Sequence, residues 1–236
     1  MPCSQVFKFK KFSICQDKVA MKVGTDGVLL GAWTAFDNPQ NILDIGTGTG
    51  LIALIMAQKF AKAKIHAVEI EKNAFDKASE NIQNSPWKNR IELYHTALQN
   101  FDSPLQFDII ISNPPFFNEK VPAKTLQRQW ARQQKTLKPE DIFDYARQHL
   151  AKKGILNIIY PFDKKDNLLN QAKKYALFPY RMLVLKGNEK AQPKRILVSL
   201  TQEKQQVQEE ILVIEKERHV YTRAYKKLVK DFYLKM

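Results

Sequence analysis

Three glycines at alternate positions, in Asp44-Ile45-Gly46-Thr47-Gly48-Thr49-Gly50, stand between a short apolar run (42–45) and a helix-forming stretch (51–60). Glycine lets a chain leave a strand, turn sharply and enter a helix with no Cβ in the way. A strand, tight turn and helix in that order open a βαβ unit, which commits a chain to a parallel sheet covered on both faces. The alternation continues downstream. Residues 64–70 read as a second strand and 72–84 as a second helix ending before Pro86. Residues 91–95 and 107–112 read as a third and a fourth strand. The fold class expected is α/β, with helices on both faces of a mostly parallel sheet.

The flanks are less regular. Residues 1–22 form a basic arm in which Phe7, Phe9 and Phe12 interleave with Lys8, Lys10 and Lys11, the alternation of an edge strand. After the fourth strand, Asn113-Pro114-Pro115-Phe116 cannot continue a central strand, because proline has no N–H to donate. Pro139 and the acids after it open a helix expected to run to residue 152. Further expectations are a buried strand over 155–160, a helix over 164–176, strands over 181–186, 195–201 and 207–215, and a helical tail over 222–235. With 236 residues and 44% apolar side chains, one domain is expected. It divides into a basic arm (1–40), a glycine-loop half reaching the N-P-P-F turn (41–118) and a basic half (119–236).

Charge separates the halves. The chain carries +14 overall, of which residues 1–118 hold +1 and residues 119–236 hold +13. Such an asymmetry is the electrostatic footprint of a polyanion partner, nucleic acid first. No run is apolar enough to cross a membrane, and the two cysteines, Cys3 and Cys15, are too few for a disulfide scaffold. Both points favour a reducing cytoplasm. His66, His95, His149 and His219 make no ligand spacing with either cysteine, so no metal is expected. Nothing fixes the oligomeric state, and a monomer is the default expectation.

Two motifs carry chemistry. The glycine spacing is G-x-G-x-G behind an aspartate, not the G-x-G-x-x-G that cradles a pyrophosphate. Glu69 ends the second strand about twenty residues later, where doubly wound folds place a carboxylate on ribose hydroxyls. A nucleoside cofactor without pyrophosphate fits both features, with Phe75 or Leu98 as candidate lining for its adenine. In the second motif, a rigid Pro-Pro turn can hold the Asn113 amide oxygen and a backbone carbonyl where both accept from one –NH₂ group. Methylation of a planar exocyclic amine needs that, because the lone pair must be drawn out of the ring as positive charge develops.

These residues resemble class I S-adenosylmethionine-dependent methyltransferases of the amino-methylating kind. The opening FKFKKFSICQDKVAMKVGTDGVLLGAW and the ending VYTRAYKKLVKDFYLKM are similar to the bacterial tRNA1(Val) adenine-N6 methyltransferases, so the resemblance covers nearly the whole chain. It implies a Rossmann-like sheet of seven strands with the last antiparallel, S-adenosyl-L-methionine as cofactor, and the adenine 3′-adjacent to the anticodon of valine tRNA as target. By position it implies Asp44, Gly46, Gly48 and Gly50 around the methionine portion, and Glu69 on the ribose. Gly24, Thr25 and Asp26 would lie near the sulfonium, and Leu98 and Gln99 at the adenine. The target base would be held by Asn113, Pro114, Pro115 and Phe116. For the tRNA backbone and loop, the expected contacts are Phe117, Lys120, Lys124, Arg128 and Arg132, with Arg223, Lys226, Lys227 and Lys230 from the tail. Phe232 and Tyr233 are expected in the core. The N-P-P-F motif does not by itself separate adenine from a protein glutamine, or from an rRNA or DNA base. A non-catalytic RNA-binding module and a nicotinamide dehydrogenase are the remaining readings.

Overall fold

The computed structural model describes residues 3–17, 19, 22–115 and 137–236. A hairpin, β1 (Val6–Lys8) and β2 (Ser13–Cys15), precedes helix α1 (Thr25–Trp33). The alternating half follows as β3 (Asn41–Ile45), α2 (Leu51–Lys59), β4 (Lys64–Glu69), α3 (Lys72–Gln83), β5 (Ile91–His95) and β6 (Phe107–Ser112). The second half contains α4 (Pro139–His149), β7 (Leu150–Pro161), α5 (Lys165–Lys174), β8 (Phe178–Lys186), β9 (Arg195–Thr201) and β10 (Gln208–Val213). A small ribbon, β11 (Glu215–Glu217) with β12 (Val220–Tyr221), leads into α6 (Arg223–Val229).

Eight strands form the central sheet in the order β10-β8-β9-β7-β6-β3-β4-β5. Only β9 opposes its neighbours, β7 and β8. It is the seventh strand in chain order within this sheet, where the antiparallel strand was expected; β10 adds an eighth at the edge, parallel to β8. Side chains alternate across the sheet. Ile42, Ile65, Ile109 and Ile111 face a core built with α1, α2 and α3, while Leu43, Ile45, Val68 and Ile110 face a second core with α4 and α5. A buried chain crosses the first layer: Asn157 on β7 donates to Thr34 Oγ1 just past α1 (3.0 Å), and Ser199 on β9 donates to Asn157 Oδ1.

Several boundaries differ from expectation. The arm is no single edge strand: it folds back at residues 9–12, where Phe9 N–H donates to Phe12 O at 2.8 Å and their rings stack at 4.6 Å. Cys3 and Cys15 are joined as a disulfide, with Cα atoms 5.9 Å apart across that hairpin, a pairing that counting two cysteines did not suggest. The helix from Pro139 stops at His149 rather than residue 152, because β7 begins earlier. Gly154 permits this, since a Cβ there would lie 2.7 Å from Phe107 O on the neighbouring strand. The tail is helical only over Arg223–Val229. Phe232, 4% exposed, belongs to the first core as expected, with Tyr233 packed against it. Among the described residues, no helix is long and apolar enough to cross a membrane.

Candidate active site: the glycine loop and the Asn113 turn

The parallel register sets the site. Ile45 pairs with Val68 on one side and Ser112 on the other, and Ser112 Oγ donates to Ile45 O at 2.9 Å. The next residues, Gly46 and Asn113, therefore leave the same sheet edge on adjacent strands, about 5 Å apart in the hydrogen-bonding direction. This is the carboxyl edge, where open α/β sheets bind ligands.

The loop after β3 requires its glycines. Gly46, Gly48 and Gly50 have φ of +70°, +60° and +83°, the left-handed region that glycine enters without strain. Gly46 N–H and Thr47 N–H both donate to Val68 O, at 2.9 and 3.1 Å. Gly48 N–H donates to Glu69 Oε2 at 2.9 Å, and Glu71 N–H donates to Glu69 Oε1 at 2.8 Å. The Glu69 carboxylate thus first braces the loop, yet each oxygen keeps a lone pair for a further donor. Beneath it, Asp44 is fully buried and accepts from Thr47 Oγ1 at 2.6 Å. Burial pushes its carboxyl up to about 7, against the Thr47 and Ala53 hydrogen bonds that lower it. Asp44 supports the loop from below and does not line the cleft.

Sequence reasoning missed Asn81. This α3 side chain, 3% exposed, donates from Nδ2 to Thr49 O at 2.9 Å and to Cys15 O at 3.0 Å, while its Oδ1 accepts from Cys15 N at 2.8 Å. One amide thus ties the glycine loop to the N-terminal hairpin. Three residues earlier on the same helix, Ala78 closes on Gly50, leaving 3.6 Å between its Cβ and the place a Gly50 Cβ would take.

A cleft opens above the loop, lined by Gly46, Glu69, Ile70, Leu98, Gln99 and Leu137 among others. Four expected cofactor contacts, Gly46, Glu69, Leu98 and Gln99, therefore share one wall. Phe75 does not line it; its ring packs on His95 with centroids 4.8 Å apart. A Cβ on Gly48 would meet nothing within 4 Å, so the crest of the loop faces open space.

The Asn113 turn is finished differently. Pro114 is buried and Pro115 exposed, and Asn113 Oδ1 is buried with no hydrogen-bond partner among the described residues. Opposite stands α1. A Cβ on Gly27 would sit 3.1 Å from Leu51 Cδ2 and 3.9 Å from Asn113 Nδ2, so the first turn of α1 packs closely on this corner. Gly24 and Thr25 are exposed at that turn, and Asp26 pairs with Arg195 Nε on β9 at 2.9 Å. Arg223, Lys226 and Lys227 are exposed on α6, which packs against α1. Phe116, Phe117, Lys120, Lys124, Arg128 and Arg132 lie outside the described residues.

The donor set fits a nucleoside cofactor bearing an amino acid: a glycine crest open to solvent, a carboxylate with spare lone pairs at the second strand end, and an apolar wall with an amide beyond it. On the adjacent strand end, Asn113 Oδ1 is a buried acceptor with no donor among the described residues.

Comparisons with known proteins agree. Residues 24–176 match the family model described as the methyltransferase small domain. A crystal structure described as a predicted O-methyltransferase from Agrobacterium tumefaciens superposes with a TM-score of 0.69 at 18% identity, covering 88% of this chain and 96% of that one, which speaks to the fold. A protein of Flavobacterium psychrophilum described as tRNA1(Val) (adenine(37)-N6)-methyltransferase is 44% identical over 98% of this chain and 100% of its own length. One of the same description from Bacteroides fragilis is 42% identical over 98% of each. With that identity along nearly the full length, on a sheet edge that carries both motifs, the chain belongs to the tRNA1(Val) (adenine(37)-N6)-methyltransferase family.

Proposed function

We propose that this protein methylates N6 of adenine 37, 3′-adjacent to the anticodon, in valine tRNA, with S-adenosyl-L-methionine as donor and the cytoplasm as its place of action. The observation that carries the reading is Asn113 Oδ1, unpartnered among the described residues, beside the glycine-loop cleft at adjacent ends of β3 and β6. The name shared by relatives at 42–44% identity supports the substrate.

When bound, the cofactor supplies an electrophilic methyl on a sulfonium that departs as a neutral thioether. The residues of the chain do the rest. Gly46, Gly48 and Gly50 keep the loop backbone free of side chains, Glu69 accepts from ribose hydroxyls, and Leu98 and Gln99 take the adenine. Gly24, Thr25 and Asp26 stand at the corner that Asn113 faces. Asn113 Oδ1 and the Pro114 carbonyl accept the two N6 hydrogens of the turned-out base, raising the availability of the nitrogen lone pair as positive charge develops there. The Pro-Pro geometry holds both acceptors in place, so positioning supplies most of the rate. Phe116 is the ring assigned to stack on the base, a contact of about 1–3 kcal/mol. Exposed Arg223, Lys226 and Lys227, with the basic residues from Lys120 to Arg132, hold the phosphate backbone.

The test is transfer of labelled methyl to unmodified valine tRNA, followed by nuclease digestion and mass spectrometry. One methyl on N6 of adenine 37 is expected. Transfer to rRNA, DNA or a release-factor glutamine, with none to the tRNA, would overturn the substrate assignment.

A further inference from the structure

The N-terminal hairpin and the C-terminal tail meet beside the last turn of α2 and the residues that follow α3. Lys10 N–H donates to Phe232 O at 2.8 Å, Lys10 Nζ donates to Lys230 O at 2.6 Å, and Phe9 bridges Tyr233. Phe12 sets its ring against the edge of Trp87, 5.8 Å between centroids. The aromatic rings glue the junction, and the cations surround it. Lys8, Lys10, Lys11, Lys88 and Lys230 are all exposed, and none is in an ion pair among the described residues.

The helices give the distance to the site. Gln58, in the last turn of α2, donates to Asp231 O at 2.8 Å, so the tail crosses that end of the helix. At about 1.5 Å per residue, this point lies about 10 Å from the start of α2 at the glycine loop. Trp87 follows the end of α3, whose Asn81 reaches back to the glycine loop. The lysines beside the tail therefore stand on the order of 10 Å from the glycine-loop end of α2, a few base-pair steps along a duplex. That span carries an RNA hairpin from its loop onto its stem. Exposed ammonium groups around rings that are buried or half-buried suit phosphates rather than bases.

We propose that the lysine cluster at the joined chain ends is a docking surface for the phosphates of the double-stranded stem adjoining the reacting loop. The inference rests on the tRNA reading above and adds the part of the RNA that this face meets. It requires the hairpin and the tail together, since each contributes cations the other positions.

The test is the triple variant Lys11→Glu, Lys88→Glu, Lys230→Glu, whose side chains make no hydrogen bond or ion pair among the described residues. With full-length valine tRNA at about 0.15 M salt, kcat/KM is expected to fall about 10-fold or more, and the salt slope of log K for binding to fall by about 2–3. The Kd for S-adenosylhomocysteine and the rate on a stemless loop oligonucleotide are expected to stay within about twofold, with an unchanged melting temperature. Full-length tRNA handled as by the wild type would overturn the proposal, as would equal losses on the loop oligonucleotide. If the wild type transfers no methyl to tRNA, the functional reading fails, and the salt slope of tRNA retention on filters still decides the surface.

Discussion

The glycine loop and the Asn113 turn leave one sheet edge side by side, but the loop backbone is braced while the Asn113 amide oxygen is not. Beneath the loop, only Asp44 Oδ1 shares that unpartnered state among the described residues of the two regions. In the loop, Gly48 N–H rests on Glu69, Thr47 on Asp44 and Thr49 O on Asn81, so the backbone is held from three directions. At the turn, Asn113 Oδ1 is buried without a donor among the described residues. An unsatisfied buried acceptor costs on the order of 1–3 kcal/mol, which a fold retains where a ligand completes it. The contrast separates two tasks: a rigid cradle for what is bound throughout, and an incomplete corner for what arrives and leaves.

The sharpest way to break that contrast is Asn113→Ala. Turnover is expected to fall by about 10²–10³-fold, the scale of losing one aimed transition-state partner. The calorimetric Kd for S-adenosylhomocysteine should stay within a few-fold. Near-normal single-turnover rates would end the assignment of the corner to the amine.

Asn81→Leu probes the other side. It leaves the Thr49 carbonyl and the Cys15 backbone unpaired, a loss of about 1–3 kcal/mol that includes the cradle. Affinity for S-adenosylhomocysteine should drop about tenfold while the saturated rate changes little. Asn81→Ser serves if the leucine variant does not fold. Unchanged affinity with a lowered melting temperature would make Asn81 a packing residue only.

Gly48→Ala distinguishes backbone from space at the crest. A methyl there meets no atom, so the whole effect, about 1–2 kcal/mol in thermal stability, comes from holding alanine at φ +60°.

The last effect is a change of slope with pH. Asp44 holds its proton up to about 7 in the folded state against 3.8 as its ordinary value. The native chain therefore binds more protons than the unfolded one in this window. Its contribution to stability is complete below the lower value and is lost as pH rises through the upper one. Asp44→Asn should remove that fall, so wild-type melting temperature should decline relative to the variant between pH of about 4 and 7. Parallel profiles would show that Asp44 is ionised throughout.

What could be read in the chain was what depends on neighbours in sequence. Positive φ at Gly46, Gly48 and Gly50, and the inability of Pro114 to join a ladder, are local requirements, so the motifs and the strands leading to them were legible. Asn81 was not, because a polar residue in an amphipathic helix reads as one more surface group until the hairpin and the loop close on it. The disulfide escaped for a similar reason. Counting two cysteines says nothing of the fold-back at residues 9–12 that carries Cys15 past Cys3. The tail misled in the opposite direction: its helical composition continues past Val229, but the pairing of Phe9 with Tyr233 draws the last residues out of the helix.

That pairing has a consequence for biosynthesis. Lys10 and Lys230, 220 positions apart, share a hydrogen bond, so the junction of hairpin and tail cannot close until nearly all of the chain has left the ribosome. A stalled or clipped polypeptide could complete its parallel strands and glycine turn yet leave Phe9 and Phe12 bare. Quality-control proteases would meet exposed aromatic rings before any such fragment could pass as finished enzyme.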